Sequence, residues 1–200
     1  MPLYLVRHGE TNWNREKRFQ SITDVALNDR GREQAAALRA ELQRRKVSFC
    51  AARCSPLGRA VETACIILEG SGLEPVIEPR FIEVSLGAFE GRLEADLRLE
   101  LGEAYDQWRA MQYTLAAPGG ESILDAAARV APALQLLRPL AAGGNVLVVA
   151  HQAVNMAMKV ALSGRTDRAS AAEFRQNNHE VDIWDMAAGR QLERFFIETP

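Results

Sequence analysis

The 200-residue chain contains three histidines, and two of them, His8 and His151, each stand directly after a short apolar run. The runs, Leu3 to Val6 and Val146 to Ala150, are too brief for helices and apolar enough for buried strands. In an open α/β sheet the ligand crevice lies beyond the carboxyl ends of the strands, so the two imidazoles are candidates to face each other there. Arg7 precedes His8, and Arg59 falls in the first turn of a helix expected after the second strand, again on the carboxyl side of the sheet. Guanidinium groups present planar forks of donors that match phosphate oxygens, and a helix N-terminus adds backbone N–H groups with a favourable dipole. The ligand that suits this set is a phosphoryl group. Singly, each residue has an ordinary structural use: a strand-terminal histidine can cap its strand, and a lone arginine is commonly solvated. Their convergence is what points to chemistry.

Such a convergence needs a scaffold, and the rest of the chain supplies its parts. Gly31 to Arg45 sets Ala35, Leu38 and Leu42 on one helical stripe, with Asn28 upstream as an N-cap. Val47 to Cys54 reads as a second strand, and Ser55-Pro56 as an N-cap followed by proline at the first helical position, opening a helix to about Glu69. Gly70-Ser71-Gly72 closes that helix, and Pro75 to Glu78 reads as a short strand. Phe81 to Gly120 is irregular, with one helix expected over Glu103 to Met111, and reads as an excursion over one edge of the sheet. Ser122 with Asp125 makes a capping-box-like start for a helix through Ile123, Ala127, Val130, Leu134 and Leu137, which Pro132 is expected to kink. Ala153 to Leu162 reads as helix, and Val181 to Met186 with Leu192 to Ile197 as a terminal hairpin. Strands alternating with helices predict one α/β domain over residues 1–200. It is a three-layer sandwich with a mostly parallel, doubly wound sheet, helices on both faces and a C-terminal antiparallel hairpin.

Composition limits the partners. With 48% hydrophobic and 25% charged residues the chain can bury one sizeable core, and a formal net charge of −2 supplies no basic excess for nucleic acid or an anionic membrane. No apolar run approaches the ~20 residues of a membrane span, and the N-terminus lacks signal-peptide regions, so a cytoplasmic protein is expected. Cys50, Cys54 and Cys65 form no Cys-x-x-Cys pair, fit a reducing compartment and read as small buried apolar residues. No metal and no cofactor are called for. His179, in a polar stretch, reads as an ordinary surface or strand-entry histidine, and Gly119-Gly120 as a turn into a helix. Trp13, Trp108 and Trp184 read as packing residues, with Trp108 alone placed to line a pocket.

The stretch Leu5-Val6-Arg7-His8-Gly9-Glu10-Thr11 resembles the signature of the histidine phosphatase superfamily, the phosphoglycerate-mutase-like proteins. Ser55-Pro56-Leu57 through Arg59-Ala60 and Thr63-Ala64 resembles its second block, and Glu83 with Gly87, Glu90 and Gly91 its third. Pro118 to Ser122 resembles a block common in the phosphatase branch, and Val148-Val149-Ala150-His151 the last. The resemblance covers almost the whole chain and implies that His8 attacks phosphorus and becomes phosphohistidine. It implies that Arg7, Arg59 and His151 bind the phosphoryl oxygens, and that Glu83 protonates the leaving group and then activates water. It further implies phosphate contact by Asn14 and substrate contact by Gln20. Two departures matter: Gln152 follows His151 where glycine is usual, which puts a longer side chain at the pocket mouth, and Ser21 stands where glycine often follows the substrate-loop glutamine.

The expected activity is a phosphomonoesterase acting on small phosphorylated metabolites. The alternatives are a cofactor-dependent phosphoglycerate mutase, which usually carries longer insertions, and a non-catalytic phospholigand-binding module, which would need neither His8 nor Glu83. Dimers are frequent among similar proteins, and the C-terminal hairpin offers an edge at which two copies could pair.

Overall fold

A computed structural model describes residues 1–167 and 173–197. In chain order the elements are β1 (Pro2–Arg7), α1 (Asn12–Arg15), α2 (Asp29–Arg44), β2 (Phe49–Cys54), α3 (Gly58–Leu68), β3 (Val76–Ile77), α4 (Glu94–Leu101), α5 (Glu103–Met111), α6 (Ile123–Ala142), β4 (Asn145–Ala150), α7 (Gln152–Ser163), β5 (Glu180–Asp185) and β6 (Arg190–Phe196). Six strands form one sheet in the order β3-β2-β4-β1-β5-β6. The first four in that order run parallel, and β5 and β6 join β1 as an antiparallel pair.

Alternation along the central strands builds the three layers. Leu3 and Leu5 of β1, with Val146 and Val148 of β4, face Ile123, Val130, Leu134 and Leu137 of α6 and Val160 of α7. Tyr4 and Val6, with Leu147 and Val149, face Leu38 and Leu42 of α2 and Ala64 and Ile67 of α3. A side-chain period of two thus feeds two separate cores from one sheet, as a doubly wound fold requires. The segment between β3 and α6 packs a third, smaller cluster from Phe89, Leu97, Tyr105, Trp108 and Ala117, against which Phe19 and Leu86 lie.

Several local expectations are met. Asn28 caps α2 by accepting from Gly31 N at 2.8 Å, and Ser122 with Asp125 forms a reciprocal capping box on α6. Gly164 ends α7 in the left-handed region. Others need correction. Ser55-Pro56 does not open α3, which starts at Gly58, because the Ser55 hydroxyl is committed elsewhere; the Gly58 N–H is instead capped by Asp24 at 2.9 Å. Helix α6 runs through Pro132 and also Pro139. Cys54 is buried as expected, but Cys50 and Cys65 are exposed. Helix α4, unforeseen, buries only Leu97 and has almost no apolar stripe to announce it. No helix among the described residues is long and apolar enough to cross a membrane.

Candidate active site

Strand register brings the two histidines together. In the parallel pair of β1 and β4, Arg7 lies opposite Ala150, and the ladder continues with His8 N donating to Ala150 O at 3.0 Å. His8 and His151 therefore leave adjacent strands side by side, with ring centroids 5.1 Å apart. On the other flank of β4 the ladder to β2 ends with Ser55 N donating to Val149 O at 3.0 Å. The turn after His8 can make this approach only without side chains: a Cβ on Gly9 would stand 2.3 Å from Gly31 O, and one on Gly31 would stand 2.2 Å from Glu10 O.

His8 is 3% exposed, and its Nδ1 lies 2.7 Å from Gly9 O. A carbonyl only accepts, so Nδ1 carries the proton and Nε2 keeps its lone pair. Burial, then the nearby Arg7 and Arg59 charges, push the His8 pKa well below its usual value and keep the ring neutral. Asn178 Nδ2 also donates to His8 O at 2.6 Å. His151 is fully buried and is likewise driven well below its usual pKa by burial first, then by His8, Arg59 and Arg7.

The guanidiniums are held from behind. Arg59 donates to Ser21 O at 2.6 Å and Thr23 O at 2.7 Å, and burial lowers its pKa to about 10. Glu90 clamps that loop in turn, accepting from the N–H groups of Ser21 and Thr23 at 3.1 Å each and from the Ser21 hydroxyl. Arg7 donates weakly to Gln176 O at 3.4 Å. Among the described residues Arg7 Nε, Arg59 Nε, Gln20 Nε2 and His151 Nδ1 are buried with no hydrogen-bond partner. Buried donors are costly to leave unpaired, so this concentration marks a place for acceptor oxygens.

Glu83 lies between Phe81 and Val84, both sunk in the larger core, and Arg129 holds the carbonyls of Arg80 and Ile82 at 2.5 and 3.2 Å. Its carboxylate accepts from Val84 N at 2.8 Å, Val154 N at 2.9 Å and Ala153 N at 3.3 Å, the latter two at the start of α7. Burial outweighs these bonds and raises its pKa. A cavity of about 460 Å³ is lined by Arg7, His8, Asn14, Gln20, Glu83 and Gln152, together with Trp108. Arg59 and His151 are fully buried and off its wall. Asn14 closes the capping box of α1 with Thr11, and Gln20 Oε1 accepts from Thr11 Oγ1 at 2.5 Å. His179 stands off the cavity, its ring 6.2 Å from that of Phe196.

Sequence reasoning missed Ser55 as a partner of His151, Glu90 as the clamp behind Arg59, and the cavity-lining cations Lys17, Arg109 and Arg175. Ser55 and Glu90 stood inside recognisable blocks, but their partners are remote in sequence. These cations carry no local signal at all.

Paired neutral histidines and a carboxyl group of raised pKa, with Arg7 on the cavity wall and Arg59 buried off it, define a phosphoryl-transfer type of site on a doubly wound α/β fold. The chain belongs to the histidine phosphatase superfamily, branch 1, whose family model matches residues 3–197. It is 35% identical over 190 residues to phosphoserine phosphatase 1 of Hydrogenobacter thermophilus, covering 95% of this chain and 89% of that protein. It is 36% identical over 169 residues to a 2,3-bisphosphoglycerate-dependent phosphoglycerate mutase of Mesorhizobium japonicum, covering 82% of each. Among solved structures it is similar to a mycobacterial glucosyl-3-phosphoglycerate phosphatase, with a TM-score of 0.82, 30% identity and 91% of each chain covered. It is also similar to the alpha-ribazole phosphatase of Shigella flexneri, with a TM-score of 0.80, 29% identity, and 100% of this chain and 95% of that one covered.

Proposed function

We propose that the chain is a metal-independent phosphomonoesterase of the histidine acid phosphatase type, hydrolysing small phosphorylated metabolites through a phosphohistidine on His8. The observation that carries this reading is the His8 ring itself: neutral, proton-fixed at Nδ1 by Gly9 O, set 5.1 Å from His151 and within reach of the Arg7 and Arg59 charges.

In the first step the Nε2 lone pair of His8 attacks phosphorus, the bond to the ester oxygen breaks, and Glu83 gives its proton to that oxygen. In the second, water attacks the phosphohistidine, Glu83 takes the water's proton, and the nitrogen leaves with its electron pair as inorganic phosphate forms. Arg7, Arg59 and His151 stabilise the equatorial oxygens, Asn14 adds a phosphate contact, and Gln20 and Gln152 meet the substrate. Phosphate monoesters need rate gains approaching ~10²¹, so ground-state contacts of ~1.5–3 kcal/mol each do not suffice; preorganised charge and a covalent step are needed together.

The mutase relatives favour one second reading, in which the phosphoryl group returns to a phosphoglycerate instead of going to water. The free cysteines fit a cytoplasmic location, and the outer strand β6 offers an edge through which two copies could pair. The test is phosphate release from an aryl phosphate by the wild type and by His8→Ala. Release by the wild type that His8→Ala lowers by about a thousandfold or more supports the phosphatase, whereas absence of turnover in the wild type overturns it. Phosphoglycerate isomerisation that outpaces phosphate release selects the mutase.

A further inference from the structure

Helix α2 turns Gly31, Gln34, Ala35, Leu38 and Leu42 inward, and on that face Gln34 alone has a polar side chain. A glutamine on a core-facing stripe gives up water and rotamer freedom, so it needs a partner within the fold. Gln34 Oε1 accepts from Glu10 N at 2.8 Å. That N–H belongs to the peptide whose other end is Gly9 O, the carbonyl 2.7 Å from His8 Nδ1. In a planar trans peptide the C=O and N–H point in opposite directions. A single peptide group therefore stands between the Gln34 amide and the imidazole.

The preceding peptide is tied in the same way. His8 O accepts from Asn178 Nδ2 at 2.6 Å, and Gly9 N, at the other end, donates to Thr63 Oγ1 at 3.1 Å. Thr63 is buried and gives its own proton to Arg59 O at 2.7 Å. Two successive peptides are thus each held at both ends, by side chains from α2, from α3 and from the stretch before β5. The residue that joins them is Gly9, where the closeness of Gly31 O excludes a Cβ. Glycine leaves both backbone torsions loose, so local sterics do not aim the Gly9 carbonyl and these bonds must do so. Gln34, Thr63 and Asn178 are all off the cavity wall. Whatever they do to a reaction passes through His8.

We infer that Gln34 and Asn178 are positioning residues, which fix the Gly9 carbonyl and through it the tautomer and aim of the His8 imidazole. Their effect on rate rests on the phosphohistidine reading; their hold on the tautomer rests on the hydrogen bonds alone. A neutral ring released by Gly9 O can carry its proton on either nitrogen, and a proton on Nε2 removes the lone pair that attacks phosphorus. Aim matters as much, since a misplacement of about 1 Å costs on the order of a hundredfold in rate. Thr63 belongs to the same hold, but it also binds the carbonyl of Arg59, so its loss would disturb two groups at once.

Two variants of the full chain test this. Gln34→Met keeps the length and packing of the side chain and removes the acceptor; Asn178→Ala, at a half-buried position in a turn, removes the donor with little risk to the fold. Nitrogen chemical shifts of the His8 ring, recorded at neutral pH without substrate, should show a protonated Nδ1 and a bare Nε2 in the wild type. In each variant the two shifts should move toward each other as the second tautomer appears. The kcat for an aryl phosphate should fall about ten- to a hundredfold, while the inhibition constant of inorganic phosphate, which reads the arginines, stays the same. A purely structural role would lower thermal stability and leave the ring shifts and kcat where they were. Wild-type shifts retained in both variants, a wild-type proton on Nε2, or weakened phosphate inhibition with kcat unchanged overturns the inference. If Gln34→Met does not fold, Asn178→Ala decides by the same criteria. A wild type that releases no phosphate from any ester contradicts the phosphatase reading, and altered ring shifts in the variants would still uphold the hold on His8.

Discussion

The hydroxyl of Ser55 lies 2.6 Å from Nε2 of His151, the two residues leaving adjacent parallel strands at their carboxyl ends. The same hydroxyl accepts from Leu57 N at 3.3 Å and keeps its own proton to give to the imidazole, the direction that a phosphate-binding His151 requires. The His151 ring is neutral, so a proton accepted at Nε2 leaves Nδ1 as the N–H. Nδ1 is the buried atom without a partner, and only as a donor can it serve a phosphoryl oxygen. Ser55→Ala should therefore release the tautomer. A lost buried bond of ~1–3 kcal/mol translates into a fall of about ten- to a hundredfold in kcat/KM. Nitrogen chemical shifts of the His151 ring, recorded on the wild type and the variant, read the tautomer directly; an unchanged pattern would show that Ser55 merely packs.

Glu90 should act on phosphate affinity from a distance. It clamps the loop whose carbonyls at Ser21 and Thr23 hold Arg59. Glu90→Ala is expected to raise KM and the inhibition constant of inorganic phosphate by about tenfold, as one charge-assisted contact at Arg59 loosens. Inhibition assays check this, and a change confined to thermal stability would count against it.

Stability should depend on pH through the two histidines. Both have folded pKa values depressed well below 6.5, so the unfolded chain takes up protons that the native state refuses. Their contribution is present above about pH 6.5 and is lost as pH falls below it, by up to about 1.4 kcal/mol per pH unit for each ring. Glu83, whose folded pKa is raised, opposes this between its unfolded and folded values, where the native state holds the extra proton. Urea unfolding at several pH values between 5 and 7 should show stability rising with pH in the wild type and a shallower rise in His8→Ala.

Activity should show the opposite limb. Glu83 has to carry a proton for leaving-group departure, so kcat is expected to fall as pH rises through its elevated pKa. Glu83→Gln should be slow and lack that limb. A limb that persists in this variant would assign the proton to another group.

The close approach of Gly9 and Gly31 should tolerate no side chain. Gly9→Ala places its Cβ 2.3 Å from Gly31 O, and overpacking of this kind costs about 1–3 kcal/mol. Chemical denaturation measures the cost, and a neutral result would mean that α2 can recede from the histidine turn.

Much of this site was legible because its signals are local. Leu3 to Val6 and Val146 to Ala150 are apolar runs ending in histidine, and parallel pairing of their strands brings the rings together without further information. The motif resemblance carried Arg7, Arg59 and Glu83 to the same place. Ser55 was misread because Ser-Pro is a strong local helix-start pattern, whereas its hydroxyl is used across the sheet by His151, and the cap on α3 comes from Asp24 in a remote loop. Two cysteines read as buried are exposed, since the burial habit of free Cys says nothing about which end of a strand or helix face a given one occupies. Lys17, Arg109 and Arg175 are ordinary surface charges in the sequence; their shared cavity exists only once the α4–α5 segment folds over the strand ends.

The most direct test is to trap the covalent intermediate. The enzyme is mixed with a radiolabelled phosphomonoester and quenched in alkali, where phosphohistidine survives, and the labelled peptide is sequenced. Label confined to His8, absent in His8→Ala and chased into inorganic phosphate by unlabelled substrate, is the predicted result. An active enzyme that carries no label, or carries it on His151 or Ser55, would contradict His8 as the nucleophile.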